Sequence, residues 1–247
     1  SYSFPPPQSL GGTAYSLAGI RIGEKSVWST YNNPSSMLSS EPWRAGISYH
    51  NPFFIQELSS LGAAVCLNQN SNAFGLTAEL QGYDVSHRLS ISLSAAQKLS
   101  SSLTLGLSTF YQQLVAKPHL HGYSIGIIGS LSYSMTKKAM LHFIGHQSVR
   151  NTDVFMGQSV YCLGLTYEVS DKTELITQLD VDVFHGSAFR LGLTYLITEK
   201  ITLLAGVASN PAVIGFGFRL RLKKLTLSMA QQRHQLLGFS PLICAET

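Results

Sequence analysis

Two acidic residues, Asp180 and Asp182, are the strongest candidates for chemistry in this sequence. They lie two positions apart, and side chains at that spacing point to the same face of an extended strand. Two neighbouring carboxyls of this kind can act together as a general acid and a general base. We expect instead that they are solvated, or paired with the oppositely charged Arg219 and Arg221.

The other candidates for chemistry are weaker. His119 and His121 form a close pair, but a metal site needs a third ligand, and none is near them in the sequence. Cys66, Cys162 and Cys244 are scattered, and an odd number cannot pair completely within the chain, so we expect small apolar fillers. There is no glycine-rich phosphate loop, nucleophile elbow or metal-binding helix motif. The sequence therefore predicts a protein that is not an enzyme and has no cofactor and no metal.

The composition indicates that little of the surface faces water. Charged residues make up 12% of the 247 residues, about half the usual share of about 25% in soluble domains. The hydrophobic share is an ordinary 45%, so Ser, Thr, Gly, Asn and Gln replace the missing charges. No run reaches the roughly 18 to 20 apolar residues of a membrane-spanning helix. A net charge of +4 without a dense basic cluster excludes nucleic acid as an expected partner.

The elements that carry these residues are predicted to be strands, because hydrophobicity alternates with a period of two after residue 42. In residues 124–134, for example, Ile125, Ile127 and Leu131 share one face, and the other face carries Ser124, Gly126, Ser130, Ser132 and Ser134. Strand-like segments begin near Pro42, Ser60, Ser71, Ser86, Ser101, Gly122, Ala139, Phe155, Thr173, Ala188, Ile201, Ala212, Leu225 and Phe239. Fourteen strands, an even number, predict an all-β, closed, antiparallel transmembrane barrel.

A soluble β-sandwich is the alternative fold, since its strands also alternate. Its outer face would carry Lys, Glu and Arg, whereas the second face here is mostly Ser, Gly, Thr and Ala. Every second link is short and most of these links carry Lys, whereas links 51–59, 115–121, 149–156 and 234–238 are expected to be longer. Short turns at one rim and longer loops at the other are typical of outer-membrane barrels.

The two faces of such a barrel would have different surroundings. The apolar face would meet outer-membrane lipid, with an interfacial girdle of tyrosines or, alternatively, tyrosines present only for their β-propensity. The predicted girdle comprises Tyr49, Tyr111, Tyr133, Tyr167 and Tyr195. The other face would line the lumen, and its predicted charged residues are Arg44, Glu174, Asp180, Asp182, Arg190, Arg219 and Arg221.

Residues 1–41 differ from the barrel region, residues 42–247. Pro5, Pro6 and Pro7 forbid regular structure at the start, and the small residues and turn formers that follow suit a compact plug, or hatch, inside a barrel. A flexible tail is the alternative. The predicted hatch residues are Trp28, Tyr31, Asn32, Asn33, Pro34, Met37 and Leu38.

The motif Gly11-Gly12-Thr13-Ala14, followed by Trp28-Ser29-Thr30-Tyr31-Asn32-Asn33-Pro34, resembles the start of outer-membrane proteins of the FadL superfamily. It is most similar to the PorV/PorQ-type branch of the Bacteroidota, although Ser35-Ser36 stands where that branch usually has Ala-Gly. The resemblance implies a fourteen-stranded barrel with an N-terminal hatch in a Gram-negative outer membrane.

Two functions follow as hypotheses. The resemblance to the branch implies a non-catalytic accessory or scaffold subunit of a barrel-assembly (BAM-type) or type IX secretion complex, with a larger barrel and lipoproteins as partners. The wider superfamily implies a passive channel for small hydrophobic molecules. A channel needs apolar side chains facing inward, and only exceptions such as Phe110 and Ile128 do so in the predicted lumen, although residues of the hatch could add to them. The sequence therefore favours the subunit, and an apolar lumen would reverse that order.

Overall fold

The computed structural model describes residues 10–23, 25–116, 120–150, 158–183, 186–235 and 237–247. Fourteen strands form one closed antiparallel barrel, in which each strand pairs with its neighbours in sequence and β1 pairs with β14. The predicted all-β closed barrel of fourteen strands is confirmed. The strands are β1 Trp43–His50, β2 Ser60–Gln69, β3 Asn72–Tyr83, β4 Ser86–Lys98, β5 Leu103–Ala116, β6 Leu120–Ser134, β7 Ala139–Arg150, β8 Ser159–Ser170, β9 Thr173–Asp182, β10 Gly186–Thr198, β11 Ile201–Ser209, β12 Ala212–Leu222, β13 Leu225–His234 and β14 Gly238–Glu246.

The helices are short. Two single-turn α-helices, α1 Gly12–Ser16 and α2 Ser29–Asn32, precede the barrel, and a 3-10 turn spans Pro34–Ser36. Two more 3-10 turns, Pro52–Phe54 and Gln56–Leu58, lie between β1 and β2. Among the described residues, none of the helices has the length and apolar character needed to cross a bilayer.

The strands separate small and polar side chains from apolar ones. On β4, Ser90, Ser92 and Ser94 are buried inside the barrel, whereas Ile91 and Leu93 are exposed on its outer wall. Leu, Ile, Val, Phe and Tyr side chains cover the outer wall in the same way around the barrel. Leaving so much apolar surface in water is unfavourable by about 25 cal/mol per Å², so this wall suits the hydrocarbon of a bilayer.

The two rims differ less in loop length than the sequence predicts. One rim, here called the lysine rim, is formed by the short links 70–71, 99–102, 135–138, 171–172, 199–200 and 223–224. At the opposite rim, the loop rim, link 51–59 is long, but links 84–85 and 210–211 have two residues each. The expected long link 115–121 is also largely strand, because Val115 pairs with His121 and Ala116 with Leu120. Continued pairing satisfies backbone groups that a loop would leave to water.

The N-terminal segment, residues 10–41 without residue 24, lies inside the barrel. Trp28 is completely buried, and a side chain at the inward-facing Gly62 would contact its ring. Side chains at Gly106 and Gly206 would meet the backbone of Ser35 and Leu17. The small residues on the inner face of the strands therefore make room for this segment. Pro5, Pro6 and Pro7, which are predicted to prevent regular structure at the start of the chain, lie outside the described residues.

Candidate functional site

The lumen contains an apolar cluster that joins the N-terminal segment to the barrel wall. Three residues of the segment pack against inward-facing side chains of β5 to β9 and β11. This lumen cluster consists of Leu17, Ile20, Ile22, Phe110, Ile128, Ile144, Cys162, Ile176 and Leu204. The lumen is therefore more apolar than the sequence analysis expected, because Phe110 and Ile128 are joined by several inward-facing aliphatic residues.

The sequence carries a signal for these missed residues. Several strands contain two consecutive apolar residues where strict alternation would place a polar one, for example at Ile127–Ile128, Phe143–Ile144 and Leu203–Leu204. Because neighbouring side chains of a strand point to opposite faces, one member of each pair must face the lumen. The structure shows that Ile128, Ile144 and Leu204 are these members.

A second apolar cluster holds the remainder of the N-terminal segment against β2 to β4, β13 and β14. It contains Leu10, Tyr15, Val27, Trp28, Tyr31 and Met37 from the segment, and its wall side is made of small residues such as Ala64, Ala73 and Ala230 together with Leu242. Of the predicted hatch residues, Trp28, Tyr31, Asn32, Asn33, Pro34 and Met37 are buried, and Leu38 is partly buried against this cluster.

Side-chain amides and hydroxyls fasten the segment to itself and to the wall. Asn32 accepts a hydrogen bond from the Leu10 amide at 3.0 Å and donates one to the Leu10 carbonyl at 2.6 Å. The Ser35 and Ser132 hydroxyls are 2.7 Å apart, and Ser132 in turn lies 2.8 Å from Nδ1 of His142. Each contact joins groups that are buried together, where an unpaired partner would be costly.

Arg44 is a buried arginine that holds two distant points of the segment. From β1 its guanidinium donates to the Lys25 carbonyl at 2.5 Å and to the Met37 carbonyl, and it contacts the Cys66 sulfur. The planar fork of an arginine suits two simultaneous acceptors. Arg44 thus faces the lumen, where it holds the two ends of residues 25–37 to the same point of the wall.

Asp180 is the centre of a charged cluster nearer the loop rim. Its carboxylate pairs with Arg190 at 2.7 Å and with Arg21 of the segment at 3.4 Å. Arg190 also donates to the Ala18 carbonyl, and Gln178 accepts a hydrogen bond from the Arg21 amide at 2.8 Å. The cluster therefore ties the second half of the segment to β9 and β10.

The expected pairing of Asp180 with Arg219 and Arg221 is wrong. Antiparallel strands place Asp180 near the loop rim, at the end of β9, and the two arginines near the lysine rim, at the end of β12. Arg219 instead donates to the Thr13 hydroxyl at 2.6 Å, and Arg221 is exposed at the rim.

The remaining candidate residues occupy separate places. Asp182 is buried beside Asp180 on the cavity of the loop rim, and Glu174 is half-buried at the lysine rim. His121 is exposed on β6, and His119 lies outside the described residues. Cys66, Cys162 and Cys244 are buried, and none of the three is in a disulfide bond. Among the described residues, no three His, Cys, Asp or Glu side chains come close enough to hold a metal.

Tyr15 and His50 form a buried polar pair between the segment and β1. The Tyr15 hydroxyl lies 2.7 Å from Nε2 of His50, and the two rings meet edge to face. Burial raises the pKa of Tyr15 above its ordinary value, so the phenol stays neutral beside the imidazole.

Two cavities open on opposite sides of the N-terminal segment. The cavity at the loop rim has a volume of about 680 Å³ and reaches Tyr15, Arg21 and Asp180. The cavity at the lysine rim has a volume of about 670 Å³ and reaches Lys25, Ser35 and His142. Among the residues that the structure describes, none lines both cavities. The segment and the lumen cluster lie between them.

Comparison with known proteins identifies the fold. No family model and no curated protein sequence matches the chain. Among solved structures, the toluene transporter TbuX of Ralstonia pickettii is similar at 13% identity and a TM-score of 0.66, over 97% of both chains. A FadL homologue of Pseudomonas aeruginosa is similar at 12% identity and 0.65, over 99% of both chains, and the monoaromatic hydrocarbon channel CymD at 13% and 0.65, over 96% of both. The chain therefore has the fold of these proteins.

Proposed function

We propose that this chain is a passive channel of a Gram-negative outer membrane, that it admits small hydrophobic molecules, and that the N-terminal segment is its hatch. The observation that carries the proposal is the lumen cluster, which gives the interior the apolar side chains that a hydrophobic passenger needs. The shared fold with proteins described as hydrocarbon channels supports the same function. Of the two hypotheses from the sequence, the channel therefore now comes first.

The outer wall supports the membrane location. Exposed apolar side chains cover it, and tyrosines lie on it near both rims, with Tyr133, Tyr167 and Tyr195 towards the lysine rim and Tyr49 and Tyr111 towards the loop rim. Tyrosine is favoured at the boundary between hydrocarbon and headgroups because its ring is apolar and its hydroxyl is polar. A barrel of this kind would contact outer-membrane lipid all round.

The interior supports gated passage rather than an open pore. A molecule that enters at the loop rim meets the N-terminal segment, whose Leu17, Ile20 and Ile22 form one side of the lumen cluster. These apolar side chains can exchange contacts with one another for contacts with a hydrophobic passenger. Passage to the lysine rim then requires displacement of the segment from the wall.

An engineered disulfide bond between the segment and the wall tests whether passage requires displacement of the segment. Ser35→Cys combined with Ser132→Cys places two thiols where the hydroxyls are 2.7 Å apart, close to the roughly 2.05 Å of a disulfide bond. In intact cells that lack their own hydrocarbon channels, we expect oxidation to lower the uptake of radiolabelled toluene at least tenfold. Reduction should restore it, because it frees the segment.

The single variants Ser35→Cys and Ser132→Cys are the matched controls, and oxidation should leave their uptake unchanged. Equal uptake by the oxidised and reduced double variant would show that passage does not require displacement of the segment at Ser35. If cells producing the unmodified chain take up toluene no faster than cells without it, the channel proposal itself is wrong.

An accessory subunit is the second candidate. Two features favour a rigid barrel that acts through its wall. Hydrogen bonds and an ion pair of Arg44, Asp180 and Asn32 hold the segment in place, and both rims have links of only two residues. On the PorV/PorQ-type resemblance, the partners would be a larger barrel and lipoproteins of a BAM-type or type IX secretion complex in a Bacteroidota-like outer membrane. Stoichiometric co-purification of such proteins with the tagged chain from solubilised membranes would support this candidate, and recovery of the chain alone would exclude it.

A further inference from the structure

The two rims carry different charges. The six links of the lysine rim contain six lysines, Lys137, Lys138, Lys172, Lys200, Lys223 and Lys224, against two acidic residues, Asp171 and Glu199. The described residues of the links at the loop rim contain Glu57 and Asp84 and no lysine or arginine. The positive charge of the links is therefore concentrated at one end of the barrel.

Part of this charge surrounds the cavity of the lysine rim. Lys98 extends the inward-facing row of β4, and Lys137 and Lys138 come from the β6–β7 link, which lies beside the β4–β5 link. Hydroxyl groups of Ser101, Ser102, Thr104, Ser134 and Thr136 line the same side. The two carboxylates of the cavity, Glu168 and Glu174, are on β8 and β9. Ammonium and hydroxyl groups together provide donors for the oxygens of an anion.

Exposed apolar side chains adjoin these lysines. Leu99 follows Lys98 and is 51% exposed, and Met135, two residues before Lys137, is 55% exposed. Both lie in links of the lysine rim, where the outer wall ends. A ligand held here can therefore contact apolar surface and positive charge at the same time.

We propose that this part of the lysine rim, formed by Lys98, Lys137 and Lys138 with Leu99 and Met135, binds an anionic phospholipid. The phosphate meets the ammonium and hydroxyl groups at the cavity, and the acyl chains lie along Leu99, Met135 and the outer wall. Lysine side chains near a membrane surface attract anionic headgroups. The site rests on the proposed membrane location and is independent of what the lumen conducts.

Native mass spectrometry of the full chain in detergent tests the proposal with phosphatidylglycerol, phosphatidylcholine and glycerol phosphate as probes. We expect phosphatidylglycerol to bind at least tenfold more tightly than phosphatidylcholine, because only the former has a net negative headgroup. Glycerol phosphate, which has the phosphate but no acyl chains, should bind at least tenfold more weakly than phosphatidylglycerol. Equal binding of glycerol phosphate would assign the site to free anions and overturn the lipid proposal.

Two triple variants with the same change of charge locate the site. Lys98→Gln, Lys137→Gln and Lys138→Gln together should weaken phosphatidylglycerol binding at least tenfold. Lys200→Gln, Lys223→Gln and Lys224→Gln, in links across the rim that do not line this cavity, should change it less than threefold. Equal losses in both variants, or none in either, would contradict the site. Loss of lipid binding with toluene uptake intact separates this proposal from the channel function.

Discussion

Replacement of Gly206 by valine is expected to lower the free energy of unfolding by about 3 kcal/mol or more, since overpacking costs about 1–3 kcal/mol and more where a backbone must move. A Cβ atom at this inward-facing position would lie 2.5 Å from the carbonyl carbon of Leu17 and 2.6 Å from its Cα. The colliding atoms are backbone, so a rotamer change of a side chain cannot relieve the contact. Heat-induced mobility shifts in gel electrophoresis, measured over a temperature series, would show the loss of stability.

Gly129→Val is the matched control for this substitution. Gly129 lies on the outer wall, in the middle of β6, and a Cβ atom there would meet nothing within 4 Å. Because valine favours strand conformation, we expect unchanged or slightly higher stability. The close fit of the segment inside the barrel would be contradicted if both variants unfolded at the same temperature.

Arg44→Ala is expected to loosen residues 26–37 of the N-terminal segment without opening the barrel. The guanidinium donates to the Lys25 and Met37 carbonyls, and a hydrogen bond to a charged group contributes about 1.5–3 kcal/mol. Loss of both should reduce the local stability of residues 26–37 by about 3–5 kcal/mol. Hydrogen–deuterium exchange of this stretch should then accelerate at least a hundredfold, because about 1.4 kcal/mol corresponds to a factor of ten.

Arg221→Ala provides the control, since it removes the same side chain from an exposed position on the lysine rim. Exchange in residues 26–37 should not change in this variant. Equal acceleration in the two variants would indicate a general effect of lost charge, and exchange that also accelerated in the strands would indicate that Arg44 stabilises the whole barrel.

The strands could be predicted from the sequence because the two faces of each strand carry different types of side chain. Alternation between outward-facing apolar residues and inward-facing small residues runs through the strands with few interruptions, and the predicted starts agree with the structure within four residues. The largest difference is at β8, which begins at Ser159, whereas the predicted start near Phe155 lies outside the described residues. Lysines in four of the six short links also distinguish one rim in the sequence.

Contacts between distant residues were not predictable in the same way. The predicted pairing of Asp180 with Arg219 and Arg221 is wrong because alternation defines the face of a residue, whereas its height in the barrel depends on strand direction. The inward positions of Ile144, Ile176 and Leu204 do not follow from the alternation, because these residues interrupt it. These residues pack against the N-terminal segment, which buries apolar side chains that would otherwise face water in the lumen.

The seam that closes the barrel constrains how the chain can fold. β1 and β14 are joined by five residue pairs, from Gly46 with Glu246 to His50 with Leu242, which are nearly two hundred residues apart in the chain. The N-terminal segment is already enclosed when these pairs have formed, so it must reach its place before the last strand docks or enter past an unfinished wall. Contacts of such long sequence separation form slowly, and until then β1 and β14 present unpaired edges that can join to other chains. Assembly of this protein is therefore expected to depend on factors that protect both edges until the two ends of the chain meet.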